Sequence, residues 1–183
     1  APFAAGVGFI PKLRDLILGF IVFCLASSFG YIINDLNDFE IDKLHPKKKH
    51  RPFASGALSF KQGIILLVAL FLLVTFLMQD LQDKFKLIIV LYVLNTFVYS
   101  KVFKDIPVIE LFVVAFGFVL RLLAGALVID LPLSEWFLIV GGFGALFVVS
   151  SKRLAEFRLK ESQVVRQVIN KYTFDFLHSV MTT

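Results

Sequence analysis

Leu16-Ile17-Leu18-Gly19-Phe20-Ile21-Val22-Phe23-Cys24-Leu25-Ala26-Ser27-Ser28-Phe29-Gly30-Tyr31-Ile32-Ile33 carries no charge and runs straight into Asn34-Asp35-Leu36-Asn37-Asp38-Phe39-Glu40-Ile41-Asp42. The apolar part is close to the roughly 20 residues that cross a bilayer core. It is continuous, whereas a strand of a transmembrane barrel alternates, so it reads as a spanning helix. The pattern recurs downstream at 61–79, 86–103, 108–128 and 134–150. Residues 1–10 read as the tail of an earlier span and 174–183 as the start of a later one. The chain starts with Ala1 and shows no short apolar region with a small-residue cleavage site, so no signal peptide is read. The expected fold class is therefore all-α, a polytopic transmembrane helical bundle. Residues 1–183 are expected to form a single membrane domain and an incomplete portion of a longer chain.

Composition points the same way. Of 183 residues, 58% are hydrophobic and only 18% charged, and the mean hydropathy is +0.83. A soluble domain carries about a quarter charged residues and could not hide this much apolar surface in a body of this size. The single cysteine, Cys24, excludes a disulfide scaffold and a cysteine-based zinc site. Nineteen Lys and Arg against 14 Asp and Glu give a net charge of +5. Basic residues collect in the loops of membrane proteins that face the cytoplasm, so this excess is not read as a nucleic-acid signal, and no nucleic-acid motif is present. Lys43, Lys47, Lys48, Lys49 and Arg51 follow the first span, Lys101 and Lys104 the third, and Lys152, Arg153, Arg158 and Lys160 the fifth. The connections Gln79–Lys86 and Asp130–Glu135 are mixed or acidic. The three basic connections are expected on the cytoplasmic side of a bacterial plasma membrane, where they would meet phosphorylated metabolites.

The segment after the first span holds the chemistry. At about 100° per residue, Asp35, Asp38 and Asp42 fall within one arc of a helix and Asn34 joins them, while Asn37 and Glu40 point away. Acidic residues at a helix end can be a solvated cap, but three of them converging beside a bilayer repel one another and call for a cation. An all-oxygen set suits Mg²⁺, which keeps several waters and bridges to substrate phosphates. Downstream, His45-Pro46-Lys47-Lys48-Lys49-His50-Arg51-Pro52 leads into Phe53-Ala54-Ser55-Gly56. A basic run alone is an ordinary membrane anchor. Beside a carboxylate cluster it completes a grip on a diphosphate, with cations stabilising the charge that develops as it departs.

Asn34-Asp-x-x-Asp-x-x-x-Asp42 followed by Arg51-Pro-x-Ala-Ser-Gly56 resembles the first signature of the UbiA superfamily of intramembrane prenyltransferases. The resemblance implies a bundle of nine spans around a central cavity, with Mg²⁺-diphosphate bound at Asp35, Asp38 and Asp42, which are then both catalytic and metal-binding. Most of that superfamily carries a second aspartate-rich motif in the third cytoplasmic connection. Here the place reads Ser151-Lys152-Arg153-Leu154-Ala155-Glu156-Phe157-Arg158-Leu159-Lys160, which is cationic and suited to holding a phosphate directly. With Tyr99-Ser100-x-x-x-Lys104-x-x-Pro107-Val108-Ile109-Glu110, this resembles the decaprenyl-phosphate phosphoribosyltransferase branch, whose pattern has an aspartate where Glu110 stands.

That branch implies a substrate pair of phosphoribosyl pyrophosphate and a polyprenyl phosphate, and a link to arabinan-type cell-wall polymers. The donor would bring the diphosphate and the lipid only a monophosphate, already anionic, so that no general base is needed. Asn34, Lys47, Arg51, Tyr99, Lys104, Lys152, Arg153 and Glu156 are the expected substrate-binding residues. The alternative is transfer of a prenyl group from a polyprenyl diphosphate to an aromatic or other small acceptor; its second aspartate-rich motif is missing. A transporter is disfavoured, because no internal repeat is evident and the charged clusters lie at the membrane face. A homo-oligomer is compatible with such a bundle.

Other polar residues read as structural. Glu110 and Arg121 lie on nearly the same face of one helix, roughly 16 Å apart at about 1.5 Å per residue. Arg121, that deep, is expected to face the bundle interior in a packing role. Asn95 and Gly141-Gly142-x-Gly144 are expected at close helix contacts. His45, His50 and His178 lack metal-ligand spacing.

Overall fold

The structure, a computed structural model, describes residues 9–45, 48–158 and 167–182. All its regular elements are helices: α1 (Phe9–Leu44), α2 (Phe60–Leu77), α3 (Asp83–Val98), α4 (Ile109–Leu127), α5 (Glu135–Arg158) and α6 (Phe174–Thr182). The first five are long and apolar enough to cross a membrane, matching the five expected spans. Residues 1–8 of the expected earlier span and Thr183 lie outside the described residues; residues 174–182 form α6.

Helix ends differ from the apolar runs. α1 has 36 residues, about 54 Å at about 1.5 Å per residue, far more than the roughly 30 Å of a bilayer core. It continues eleven residues past Ile33 to Leu44, so the aspartates ride on a projecting helix and not on a loop. α5 likewise carries Ser151–Arg158 as helix. α3 ends in a π-helical turn, Tyr99–Phe103, which widens the backbone where the second basic connection begins.

α1 packs on α2, α3 and α4; α4 packs on α3 and α5; α5 packs on α6. One apolar core joins α1, α3 and α4 through Val22, Phe85, Ile89, Leu120 and Ala124. A second, of Leu111, Val149, Leu154, Val168, Tyr172 and Leu177, joins α4, α5 and the approach to α6. Outward faces carry Phe20, Phe71, Phe76, Trp136 and Phe143, exposed as lipid contact requires.

α2 packs chiefly on α1, and its start is firmly specified. Ser59 and Gln62 form a capping box: the Ser59 N–H donates to Gln62 Oε1 at 2.8 Å and the Gln62 N–H to Ser59 Oγ at 3.3 Å. Gly56, at φ +80°, turns the chain into it. Gly63 then lets the loop lie back on α1, because a Cβ there would come within 2.8 Å of Phe53 Cε1 and 2.9 Å of Leu36 Cδ2. That return places Arg51 against the aspartates of α1.

Inside the bundle Arg121 donates to the Tyr92 hydroxyl at 2.8 Å and lies over the rings of Phe23, Tyr92 and Phe118. Ser27 donates to the same hydroxyl. Asn95 donates to the Val113 carbonyl of α4, and a Cβ on Gly141 would strike Leu122. These are the packing roles expected of them. Gly142 and Gly144 are not in such tight contact.

Candidate active site

The C-terminal ends of α1, α3 and α5 and the start of α4 meet on one side of the bundle. Three carboxylates on the projecting part of α1 face cations from two connections. Arg51 Nη1 donates to Asp35 Oδ1 at 2.8 Å and to Asp42 Oδ2 at 2.9 Å, bridging the first and last aspartates of the arc. Lys48 Nζ lies 3.6 Å from the other Asp42 oxygen. Lys104 Nζ donates to Asp38 Oδ1 at 2.5 Å. Asp42 is buried and Asp35 and Asp38 are half-buried. Each carboxylate therefore has a cation from the chain itself, as clustered charge out of bulk water requires. Among the described residues no three acidic, His or Cys side chains are drawn together as a ready metal cage.

Asn34 Oδ1 accepts from Ser100 Oγ at 3.1 Å, at the π-helical turn. Asn37 is exposed, but its side chain is engaged: Nδ2 donates to Ser100 Oγ at 3.4 Å, and Oδ1 accepts from Lys101 at 2.8 Å. Glu40 does point away, pairing with Lys43 on the outer face. Lys47 and Lys160 lie outside the described residues.

The third basic connection is arranged differently from a bare phosphate cradle. Arg153, 5% exposed, meets Glu110, 0% exposed, through a two-pronged contact, Nε to Oε1 at 2.5 Å and Nη2 to Oε2 at 2.8 Å. Its Nη1 donates to Glu156 Oε1 at 3.1 Å. Glu156 Oε2 is buried with no hydrogen-bond partner among the described residues. Tyr99, half-buried at the start of the π-helical turn, lies within electrostatic reach of Arg153. Lys152 is exposed. Glu110 and Arg121, predicted on one face, meet different neighbours, because some 16 Å of helix separates them.

Tyr172, which no motif flagged, completes this cluster. Its hydroxyl donates to Glu110 Oε1 at 3.4 Å and accepts the Val108 N–H at 2.8 Å. Val108 has φ +68° and ψ −54°, and the Ile109 N–H donates to the Pro107 carbonyl at 2.8 Å, which defines a γ-turn. A β-branched residue in that conformation is strained by about 1–3 kcal/mol and persists only where its surroundings hold it. Burial, with the Glu110 carboxylate adding to it, pushes the Tyr172 phenol up to about 12.

The profile of the UbiA prenyltransferase family matches residues 1–159. The chain belongs to that family. Among curated proteins it is similar to a decaprenyl-phosphate phosphoribosyltransferase of Corynebacterium glutamicum, 37% identical over 190 aligned positions that cover 100% of this chain and 57% of the relative. One of Mycobacterium tuberculosis is 35% identical over 191 positions, covering 100% and 63%. The chain thus spans less than two thirds of the length of these UbiA-family relatives. The solved structure of a UbiA homologue from Archaeoglobus fulgidus, bound to DMAPP and Mg²⁺, superposes with a TM-score of 0.77 at 20% identity, covering 93% of this chain and 61% of that one. At that identity the likeness establishes the fold.

Proposed function

We propose that the protein is a Mg²⁺-dependent enzyme that transfers the 5-phosphoribosyl group of phosphoribosyl pyrophosphate to a polyprenyl phosphate and releases pyrophosphate. Similarity along the whole chain to two decaprenyl-phosphate phosphoribosyltransferases carries this reading. The basic ends of the helices are read as facing the cytoplasm of a bacterial plasma membrane, where the donor is found.

The carboxylates at the end of α1 are the right chemistry for Mg²⁺, three all-oxygen groups on one arc; here they are paired with Arg51, Lys48 and Lys104 and not drawn into a cage, so the ion would bind by displacing those cations. Asp35, Asp38 and Asp42 would hold the ion, which when bound neutralises charge on the diphosphate leaving group. The cations now on those carboxylates, Arg51 and Lys104, then become available to the donor's phosphates, and Lys47 and Lys152 would add to the same pocket. Asn34 and Tyr99 border it from α1 and the π-helical turn. Glu110 and Glu156 neutralise Arg153 and hold it in one orientation, so that it ties α5 to α4, and the free positive charge of this connection is left to Lys152.

In the reaction the bond from ribose C1 to the pyrophosphate oxygen breaks, and the electron pair leaves with pyrophosphate. A phosphate oxygen of the lipid bonds to C1. The lipid phosphate is anionic at neutral pH and gives up no proton, so the chain's tasks are to position two phosphorylated partners and to stabilise the departing charge. The apolar spans suit the lipid tail. The test is to offer membranes holding the full-length protein, each time with Mg²⁺, either labelled phosphoribosyl pyrophosphate with polyprenyl phosphate or polyprenyl diphosphate with an aromatic acid, and to separate the lipid products. Label in the lipid phase is the expected result; a prenylated aromatic acid formed from polyprenyl diphosphate, with no phosphoribosyl lipid, would refute it.

A further inference from the structure

The chain that follows α5 returns through a 3-10 turn, Gln167–Lys171, and rests on the connection between α3 and α4. Two consecutive side chains make the junction. Lys171 Nζ donates to the Asp105 carbonyl at 2.8 Å, and the Tyr172 hydroxyl takes the Val108 N–H at 2.8 Å. The stretch so pinned begins one residue after Lys104, whose ammonium meets Asp38. Lys104 is fixed behind as well, its own N–H donating to the Tyr99 carbonyl at 3.0 Å.

Tyr172 is built as an anchor. Its ring is 6% exposed, packed in the core of α4 and α5 and stacked on Phe176 at 5.8 Å, so the hydroxyl cannot drift. The γ-turn at Val108 is the conformation the connection would leave first if that hydroxyl were missing.

We propose that Tyr172, assisted by Lys171, is a positioning residue for Lys104. Together they clasp Asp105 and Val108 and so fix where the Lys104 ammonium stands beside Asp38. The segment after α5 thereby contributes to donor recognition without touching the donor. This rests on the phosphoribosyl-transfer reading above. It is also distinct from a simple packing role, because the ring packs the core while the hydroxyl, with Lys171, sets the connection.

The test uses full-length protein in membranes, with saturation curves for phosphoribosyl pyrophosphate at fixed polyprenyl phosphate. Tyr172→Phe keeps the ring and is expected to raise the donor KM roughly 3- to 10-fold, the size of one ordinary hydrogen bond, with kcat nearly unchanged. In a Lys104→Ala background the same change should add less than about twofold, whereas in an Arg51→Ala background it should multiply in full. A role confined to stability would move the melting temperature and the active fraction and leave the donor KM unchanged in every background. Lys171→Met, on the surface, gives a second reading should Tyr172→Phe fail to fold, and is expected to raise the donor KM in the same direction. Donor KM values within about twofold of wild type for both variants, or full multiplication with Lys104→Ala, would overturn the proposal. Wild-type protein in each assay separates the two levels: no phosphoribosyl lipid from wild type condemns the reaction reading and this proposal with it, whereas an active wild type with an indifferent Tyr172→Phe condemns the clasp alone.

Discussion

Replacing Arg153 with Met separates two roles for this residue. Glu110 is wholly buried and receives two hydrogen bonds from Arg153, at 2.5 and 2.8 Å, with the Tyr172 hydroxyl, at 3.4 Å, as a further donor among the described residues. Arg153→Met fills similar space but strands that carboxylate, and breaking a buried pair from one side costs about 3–5 kcal/mol. For a chain of this size each kcal/mol moves the melting temperature by roughly 2–4 °C, so a fall of roughly 6–20 °C is expected. Glu110→Gln is milder, about 1.5–3 kcal/mol, because the amide oxygen still accepts and Arg153 keeps Glu156 at 3.1 Å. The double variant removes both charges and should melt above Arg153→Met alone. The measurement is the monodisperse fraction on size-exclusion chromatography after heating in detergent. If Arg153→Met melts within about 2 °C of wild type while the donor KM climbs, the reasoning is wrong and Arg153 is a phosphate-binding cation, not a clamp between α4 and α5.

Three further outcomes are expected. EDTA should abolish transfer and Mg²⁺ restore it, and Asp35→Asn should lower turnover on the order of a hundredfold; full activity in EDTA would remove the metal from the reading. Lys104→Ala, losing a half-buried charged contact, should raise the donor KM by tens of fold, whereas Lys152→Ala, exposed, should change it by less than about fivefold; the reverse order would misplace the pocket. The raised phenol of Tyr172 predicts an alkaline stability loss: with a folded value of about 12 against an ordinary one near 10, its contribution is complete below about pH 10 and disappears as pH rises through 12. Phenolate absorbance of wild type minus Tyr172→Phe should titrate near 12, and a midpoint near 10 would contradict the burial argument.

The spans were legible because hydrophobicity is a length signal: uninterrupted apolar stretches of about 20 residues have few alternatives. Their ends were not, because hydrophobicity reports where lipid stops and not where the helix stops. α1 runs on through Asp42, its side chains held by Arg51, Ser100 and Lys104 from other parts of the chain. The aspartate arc was readable from its three- and four-residue spacing, since that periodicity is local. What the carboxylates bond to was not, because Arg51 reaches Asp35 only after the loop folds back over Gly63, and Lys104 reaches Asp38 from another helix. The basic run at Lys152-Arg153 looked like free positive charge. Its neutralising partner, Glu110, lies on α4 and no local pattern joins the two. Tyr172 carried no signal at all beyond being an aromatic in a polar stretch; the strained Val108 that needs it is visible only in three dimensions.

Gly63 gives α2 an uneven tolerance to change. Nearly all of that helix faces outward, Gly63 and Val74 being its buried residues, so one aliphatic side chain could replace another along most of its length with little effect on the rest of the molecule. At Gly63 a single methyl group would press on Phe53 and Leu36 together, and both side chains are buried with little room to give way. Phe53 stands two residues from Arg51, so the displacement would be felt at the bridge between Asp35 and Asp42. A sequence library built on α2 should therefore be permissive along its outward face, whereas at Gly63 selection for activity would return glycine although the residue touches no charged group.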